Sequence, residues 1–197
     1  MDSKMPVILV TGFLGAGKTT LINEMLRYLG PKGLHPALLI NDFGKINIDS
    51  ELIDKNYRTN IYEVSQGSIF CVCTRDQFFN AIEKIINERP VFDVLIIEAT
   101  GIADTADLND YIDQSGYDNK IEIVENICII DAINFHKVYE ILEAVKNQVR
   151  DATICVINKT DIAEKNGIDL KELEQYLRGL NDKARLIKAT ISKADFK

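Results

Sequence analysis

The chain has 197 residues, of which 30 are acidic and 23 basic, so its formal net charge at pH 7 is −7. An acidic surface of this kind argues against nonspecific binding to nucleic acid or to an anionic membrane. Hydrophobic residues make up 46% of the sequence and charged residues 27%, the balance of a soluble globular protein. No apolar run is long enough to span a membrane and no signal-peptide pattern precedes the first strand. We therefore expect a cytoplasmic protein whose residues 1–197 form one domain.

Short apolar runs alternate with amphipathic patterns along the whole chain. The apolar runs predict seven strands, at or within 7–10, 36–41, 60–64, 92–101, 121–130, 152–161 and 184–190. Apolar residues at helical spacing predict helices at 21–29, 78–86, 135–149 and 170–180, and an acidic stretch at 103–116 is expected to be helical in part. This alternation predicts an α/β fold, a three-layer, doubly wound and mostly parallel sheet.

The first strand runs into a glycine-rich loop that matches the P-loop pattern G-x-x-x-x-G-K-[ST] in full, between a strand and a helix as the motif requires. Glycines let the backbone wrap a phosphate chain, and the helix N-terminus adds partial positive charge. We expect Lys18 to reach the β- and γ-phosphates and Thr19 to bind Mg²⁺. The other reading is an ordinary glycine turn before a helix. The residues assigned to nucleotide phosphates are Gly12, Gly15, Ala16, Gly17, Lys18, Thr19 and Thr20.

A second signature, Asn-Lys-Thr-Asp at 158–161, follows a later strand. Asp161 is suited to accept hydrogen bonds from the N1–H and the exocyclic amine of guanine, while Lys159 packs its stem over the base and Asn158 ties the loop together. Adenine lacks that pair of donors, so a buried Asp161 would be left unpaired against it, at a cost of a few kcal/mol, roughly. The alternative is a plain polar turn. The pair of motifs favours GTP over ATP.

Carboxylates follow two other predicted strands. Glu98 ends the strand expected beside the P-loop strand, where it can hold Mg²⁺, and Gly101 can offer its N–H to the γ-phosphate. Asp42 is the second candidate for Mg²⁺ or for positioning the attacking water; alternatively it is a turn residue. We assign Lys18, Asp42 and Glu98 to catalysis, and Thr19, Asp42 and Glu98 to Mg²⁺.

Two of the four cysteines form a Cys-x-Cys pair. Cys71 and Cys73 can supply two thiolates, whereas a tetrahedral zinc site needs about four ligands, which Asp42 or a symmetry-related copy would have to complete. Cys-x-Cys also suits Cu(I) or a redox role, and the simplest reading is two thiols without a metal. Cys128 and Cys155 lie in apolar strand runs and are expected in the core.

The order of motifs resembles that of the CobW-like GTPases, relatives of the urease and hydrogenase nickel-insertion GTPases. The resemblance covers roughly residues 7–195 and is carried by GFLGAGKTTLIN, NDFGKINIDSELI, the segment 67–73, IIEATGIAD, IIDAINF and QVRDATICVINKTDI. It implies a slow GTPase whose nucleotide state is coupled to metal handling for a client metalloenzyme or cofactor protein. It also implies a nucleotide-dependent homodimer formed across the nucleotide face.

The chain departs from that family at two points. Family members usually carry Gly-Cys-x-Cys-Cys, but here Gly67 is followed by Ser68, Ile69, Phe70 and Cys71, so two of the three expected thiolates are absent. Larger members continue into a separate C-terminal domain, and we expect this chain to comprise the GTP-binding domain alone.

Three functions are compatible with these motifs. The first is a GTP-gated metallochaperone or metallocofactor-insertion factor that carries zinc or another transition metal. The second is a GTP-dependent switch that remodels and activates a partner protein without binding a transition metal, which the lost cysteines favour. The third, an ATP-dependent kinase, is disfavoured by the Asn-Lys-Thr-Asp motif. Arg75 is the nearest candidate for an arginine acting across a dimer.

Overall fold

The computed structural model describes most of the chain. The described residues are 4–41, 60–64, 74–88, 91–103, 105, 112, 114 and 116–190. Asp42, Cys71 and Cys73 lie outside them, as does most of the acidic stretch predicted to be partly helical.

The centre of the molecule is one sheet of seven parallel strands. The strands are β1 (Met5–Thr11), β2 (Pro36–Asn41), β3 (Asn60–Val64), β4 (Val94–Glu98), β5 (Ile121–Asp131), β6 (Ile154–Asn158) and β7 (Arg185–Lys188). Their order is β3-β2-β4-β1-β5-β6-β7, and each described pairing is parallel. The predicted doubly wound sheet is therefore confirmed. Since all seven carboxyl ends meet at one edge, the loops that follow them can build a common site.

The strand β1 lies in the middle of the sheet, with three strands on each side. It pairs with β4, where Val10 lies opposite Glu98, and with β5, where Thr11 lies opposite Cys128. The prediction that the strand ending at Glu98 lies beside the P-loop strand is confirmed. Cys128 and Cys155 are each 1% exposed, which confirms their assignment to the core.

In the part of the chain that the structure describes, six α-helices with defined bounds flank the sheet, and a short 3-10 helix (Gly30–Lys32) follows the first of them. The α-helices are α1 (Lys18–Leu29), α2 (Arg75–Asn87), α3 (Phe135–Tyr139), α4 (Glu143–Arg150), α5 (Thr160–Lys165) and α6 (Leu170–Leu180). Helix α2 packs its buried isoleucines on the half of the sheet formed by β1–β4, and α3, α4 and α6 pack on β5 and β6. Helix α1 packs its buried leucines and isoleucines beside the central strands.

The single helix predicted at 135–149 is wrong, because the chain forms α3 and α4 with a break between them. Leu142 has an extended backbone (φ −115°, ψ 109°), and Ile141 beside it is 79% exposed. The apolar spacing persists across the break because Val138, Leu142 and Val145 pack against the same core cluster. Periodicity alone cannot distinguish a continuous helix from two helices that present apolar residues to one surface.

A partly exposed asparagine amide joins the ends of α4 and α6. Asn181, directly after α6, donates from Nδ2 to the carbonyl oxygens of Val149, Arg150 and Ala152, each at 2.9 Å. Its Oδ1 accepts from the backbone N–H groups of Lys183 (3.1 Å) and Ala184 (3.0 Å). One side chain thus hydrogen-bonds to backbone groups at and just after the end of α4, and to backbone groups between α6 and β7.

We expect Asn181→Ala to lower the free energy of unfolding by about 2 kcal/mol, because it leaves carbonyl and amide groups of two segments without partners. Lys183→Ala is the matched control, since this neighbouring side chain is exposed and its replacement should change stability by less than about 0.5 kcal/mol. Urea unfolding followed by circular dichroism measures both. Equal stability of the two variants would show that the Asn181 contacts contribute nothing.

Candidate functional site

The loop between β1 and α1 is shaped by three glycines with positive φ: Gly12 (131°), Gly15 (74°) and Gly17 (112°). At Gly12 the backbone presses on β5 so closely that a Cβ would lie 2.3 Å from the carbonyl oxygen of Ile129. Glycine is therefore required there for two reasons, the backbone angle and the space. The loop has the wrapped backbone that phosphate-binding loops use, with a helix N-terminus at its end.

Lys18, the first residue of α1, folds back onto this loop. Its side chain is 8% exposed, and Nζ donates to the carbonyl oxygens of Gly12 (2.9 Å) and Phe13 (3.4 Å). Burial lowers the pKa of this ammonium group, and the nearby carboxylate of Glu98 opposes that shift. Both contacts are with carbonyl oxygens and not with a carboxylate. The positive charge of Lys18 is therefore not neutralised there, and it can act on an anion bound at the loop.

Thr19 and Glu98 meet beside Lys18. The Thr19 hydroxyl donates to Glu98 Oε1 at 3.3 Å, and Glu98 is 5% exposed. Its other oxygen, Oε2, is buried without a hydrogen-bond partner among the described residues. Burial raises the pKa of Glu98, and the charge of Lys18 opposes that shift. A hydroxyl and an unpartnered carboxylate oxygen are donors that Mg²⁺ prefers, so these two residues fit the ion; Asp42, the third predicted ligand, lies outside the described residues.

The segment after β4 lies directly against the P-loop. A Cβ at Gly101 would come within 2.5 Å of the backbone nitrogen of Leu14. On its other side the segment is held by the buried side chain of Gln148 in α4, which donates to the carbonyl oxygens of Ala103 (2.9 Å) and Gly101 (3.4 Å). Sequence reasoning missed Gln148, although a glutamine on the apolar face of an amphipathic helix is a signal that could have identified it.

The Asn-Lys-Thr-Asp motif lies at the end of β6 and runs into α5. Asn158 Nδ2 donates to the carbonyl oxygen of Ala16 in the P-loop at 2.8 Å, which joins residues 142 positions apart in the chain. A cavity of about 280 Å³ opens between the two motifs. Its lining residues are Gly15, Gly17, Thr20, Asn158, Lys159, Asp161, Ile162 and Thr190. The structure thus brings the two motifs of the sequence to one cavity. Thr190, which sequence reasoning missed, lies with its hydroxyl 3.4 Å from Asp161 Oδ1.

Lys159 contacts a carboxylate that sequence reasoning did not assign. Its Nζ lies 2.7 Å from Oδ2 of Asp131, the last residue of β5, which is 9% exposed. Burial raises the pKa of Asp131, but hydrogen bonds from Lys159, the Asn134 side chain and the Ile133 backbone outweigh that effect and leave the pKa below its usual value. The signal was available, because Asp131 ends an apolar strand run as Glu98 does.

Two further predictions concern residues beyond this cavity. Arg75 hydrogen-bonds to the side chain of Gln114 and lies over the ring of Phe79, 5.2 Å from its centroid. In the described ranges, no group of three or more His, Cys, Asp and Glu side chains is arranged to hold a metal ion. Cys71 and Cys73, the proposed transition-metal ligands, are not among those residues.

The helices that the structure describes include none with the length and apolarity needed to cross a membrane.

Comparison with known proteins agrees with this geometry. The sequence pattern of the family described as CobW/HypB/UreG, nucleotide-binding domain, matches residues 6–188. The chain belongs to this family. The resemblance inferred from the motifs is therefore confirmed.

Relatives of this CobW/HypB/UreG domain include proteins named for zinc. Zinc-regulated GTPase metalloprotein activator 1 of Dictyostelium discoideum is 28% identical over 228 residues, covering 96% of this chain and 46% of that protein. The zinc chaperone YjiA of Escherichia coli is 28% identical over 188 residues, covering 93% of this chain and 57% of the relative. The domain thus spans about half the length of the curated relatives that it matches.

Solved structures confirm the fold of the CobW/HypB/UreG domain. The Zn(II)-bound YjiA GTPase from Escherichia coli superposes with a TM-score of 0.74 at 23% identity, covering 99% of this chain and 60% of that one. The hydrogenase maturation factor HypB from Archaeoglobus fulgidus gives a TM-score of 0.68 at 20% identity, covering 95% of this chain and 82% of the other.

We expect Gly12→Ala to destabilise the P-loop and abolish nucleotide binding, because its Cβ would overlap a β5 carbonyl in addition to straining the backbone. Gly33→Ala is the matched control: Gly33 also has a positive φ (74°), but a Cβ there meets nothing within 4 Å. The control should lose only about 1 kcal/mol of stability, the cost of placing alanine in the left-handed region, and keep its nucleotide affinity. Thermal unfolding and titration with a fluorescent GDP analogue measure these effects. Nucleotide binding by Gly12→Ala at the affinity of the control would contradict the assignment.

Proposed function

We propose that this domain binds GTP with Mg²⁺ and hydrolyses it slowly to GDP and phosphate. The observation that supports this most directly is the single cavity bordered by Gly15 and Gly17 on one side and by Asn158 and Asp161 on the other. A phosphate-binding loop and a base-reading loop at the two ends of one cavity are what a guanine nucleotide requires.

At the phosphate end, Lys18 would exchange its contacts with the loop carbonyls for the β- and γ-phosphate oxygens. This exchange costs little, because the ammonium group already lies over the loop and needs no large movement. Thr19 and Glu98 would hold Mg²⁺, through the hydroxyl and the carboxylate oxygen Oε2. When bound, Mg²⁺ supplies positive charge beside the transferring phosphoryl group.

Hydrolysis would proceed by in-line attack of a water molecule on the γ-phosphate. We assign Asp42 to positioning that water or to the Mg²⁺ site, and the N–H of Gly101 to the γ-phosphate. Gly101 lies against the P-loop backbone at Leu14, so loss of the γ-phosphate would directly change the position of this segment. Segments 42–50 and 98–109 would then switch with the nucleotide state. We expect slow turnover, because the residues assigned to this site include no arginine.

At the base end, Asp161 would accept hydrogen bonds from the N1–H and the 2-amino group of guanine. Thr190 donates to one carboxylate oxygen, Oδ1, and fixes the orientation of the group. Asn158 joins this end to the P-loop through the carbonyl oxygen of Ala16, so the distance between the base and the phosphates is set by the fold.

We expect Asp161→Asn to change the base preference from guanine to xanthine. An asparagine amide donates to the 2-oxo group of xanthine, but it cannot accept both guanine hydrogen bonds. The affinity for GDP should fall at least about 100-fold and that for XDP should rise, because an unpaired buried polar group costs a few kcal/mol. Calorimetric titration of wild type and variant with GDP, XDP and ADP measures this. Unchanged GDP affinity in the variant would exclude Asp161 from base recognition.

We propose further that the nucleotide cycle drives delivery of a metal to a client metalloenzyme or cofactor protein in the cytoplasm. Support comes from the names of the relatives, zinc chaperones and a zinc-regulated GTPase metalloprotein activator. Cys71 and Cys73 would supply two thiolates for zinc, and a second copy docked across the nucleotide face would supply two more.

One observation favours a second candidate function, a GTP-dependent activator that carries no transition metal. Ser68 and Phe70 stand where the family usually has cysteines, so this segment offers only Cys71 and Cys73. Two thiolates per chain hold zinc tightly only if other ligands complete the site.

Zinc titration separates the two candidates. For a metal carrier we expect wild type with a non-hydrolysable GTP analogue to bind Zn²⁺ with a Kd below about 1 μM, an affinity of about 8 kcal/mol. Cys71→Ser/Cys73→Ser should lose this binding, while Lys18→Ala should lose its dependence on nucleotide. Competition with a chromophoric chelator gives the affinities. Wild type that binds no Zn²⁺, Ni²⁺, Co²⁺ or Cu⁺ above micromolar affinity in either nucleotide state would contradict metal delivery and favour the activator.

A further inference from the structure

Lys159 has an unusual backbone for a lysine. Its φ is 62°, and it is the only residue other than glycine with a positive φ in the ranges that the structure describes. Non-glycine residues in this region are held there by their surroundings. The surroundings here are the backbone N–H groups of Ile162 and Ala163, which donate to the Lys159 carbonyl oxygen at 3.1 and 2.9 Å. The start of the Lys159 side chain is therefore fixed by the turn into α5.

The other end of the same side chain is fixed by Asp131. Two hydrogen bonds that do not involve the lysine also fix this carboxylate. Its Oδ1 accepts from the Ile133 N–H (2.9 Å), and its Oδ2 accepts from Asn134 Nδ2 (3.0 Å). Strand pairing places Asp131 opposite Asn158, the residue before Lys159. The Lys159 ammonium, 2.7 Å from Oδ2, is thus bound to a rigid anchor on the neighbouring strand.

A lysine side chain fixed at both ends differs from a free one in two ways. First, its methylene stem is held as an apolar surface beside the cavity, whereas a free lysine would lose rotamer entropy when a base packed against it. Second, its ammonium group stays paired with the carboxylate of Asp131. Without that partner, the ammonium group could pair with Asp161 two residues further on and occupy the carboxylate that is assigned to the base.

We propose that Asp131 is a positioning residue for base recognition, which holds the Lys159 ammonium so that the lysine stem packs on the purine while the Asp161 carboxylate stays available to its edge. This inference rests on the proposed function, a guanine nucleotide in the cavity of about 280 Å³. Asp131 acts through Lys159 and makes no contact with the nucleotide.

The alternative role of Asp131 is structural, since it also organises the turn before α3. A double-mutant cycle separates the two roles, using Asp131→Asn, Lys159→Met and the double variant. Methionine keeps an apolar stem and removes the ammonium group. Kd values for GDP, XDP and ADP come from calorimetric titration, and thermal unfolding gives the stability of each protein.

We expect Asp131→Asn to weaken GDP binding about 10-fold, equivalent to about 1.4 kcal/mol, without a gain in XDP or ADP affinity. In the Lys159→Met background the same substitution should change the GDP affinity less than about twofold, because the group through which Asp131 acts is gone. A fall in GDP affinity of equal size in both backgrounds would overturn the inference, and so would wild-type affinity in Asp131→Asn.

The same titrations separate failure of this inference from failure of the proposed function. Wild type that fails to prefer GDP over ADP overturns the guanine site and the role of Asp131 together. Wild type that prefers GDP, with Asp131→Asn retaining the same Kd, overturns only the role of Asp131.

Discussion

The hydrogen bond from Asn158 to the carbonyl oxygen of Ala16 is the contact on which the rest of the site depends. It joins two loops that are far apart in the sequence and leave different strands, and both partners are buried. At 2.8 Å it holds the P-loop and the Asn-Lys-Thr-Asp turn together. Because β5 lies between β1 and β6 in the sheet, no backbone pairing joins these two strands, and the asparagine side chain connects the loops that follow them.

Close backbone contacts confine the P-loop on two sides. Gly12 presses on Ile129 of β5, and Gly101 presses on Leu14 from the side of β4. A shift of the P-loop backbone at Leu14 would therefore act directly on the segment after β4. The side chain of Gln148 hydrogen-bonds to that segment, so a displacement of the segment would be transmitted to α4.

Much of this architecture could be predicted from the sequence because its signals are local. The buried central strands are nearly continuous apolar runs, the edge strands β3 and β7 keep short apolar segments, and the P-loop motif fixes its own strand–loop–helix context. The break at Leu142 could not be predicted, since the same apolar spacing serves one helix or two. Gln148, Thr190 and Asp131 were missed because their partners lie in segments distant in the sequence, although the sequence carried a local signal for Gln148 and for Asp131. Of the predicted site residues, Asp42, Cys71 and Cys73 lie outside the described residues.

A crystal structure of this chain with Mg²⁺ and a non-hydrolysable GTP analogue would test the central claim most directly. The claim is that one nucleotide spans the P-loop and the Asn-Lys-Thr-Asp turn. We expect the γ-phosphate beside Lys18, and both Asp161 carboxylate oxygens within about 3.2 Å of guanine donors, the ordinary hydrogen-bond range. A nucleotide whose phosphates occupy the P-loop while its base lies away from Asp161 would contradict the account.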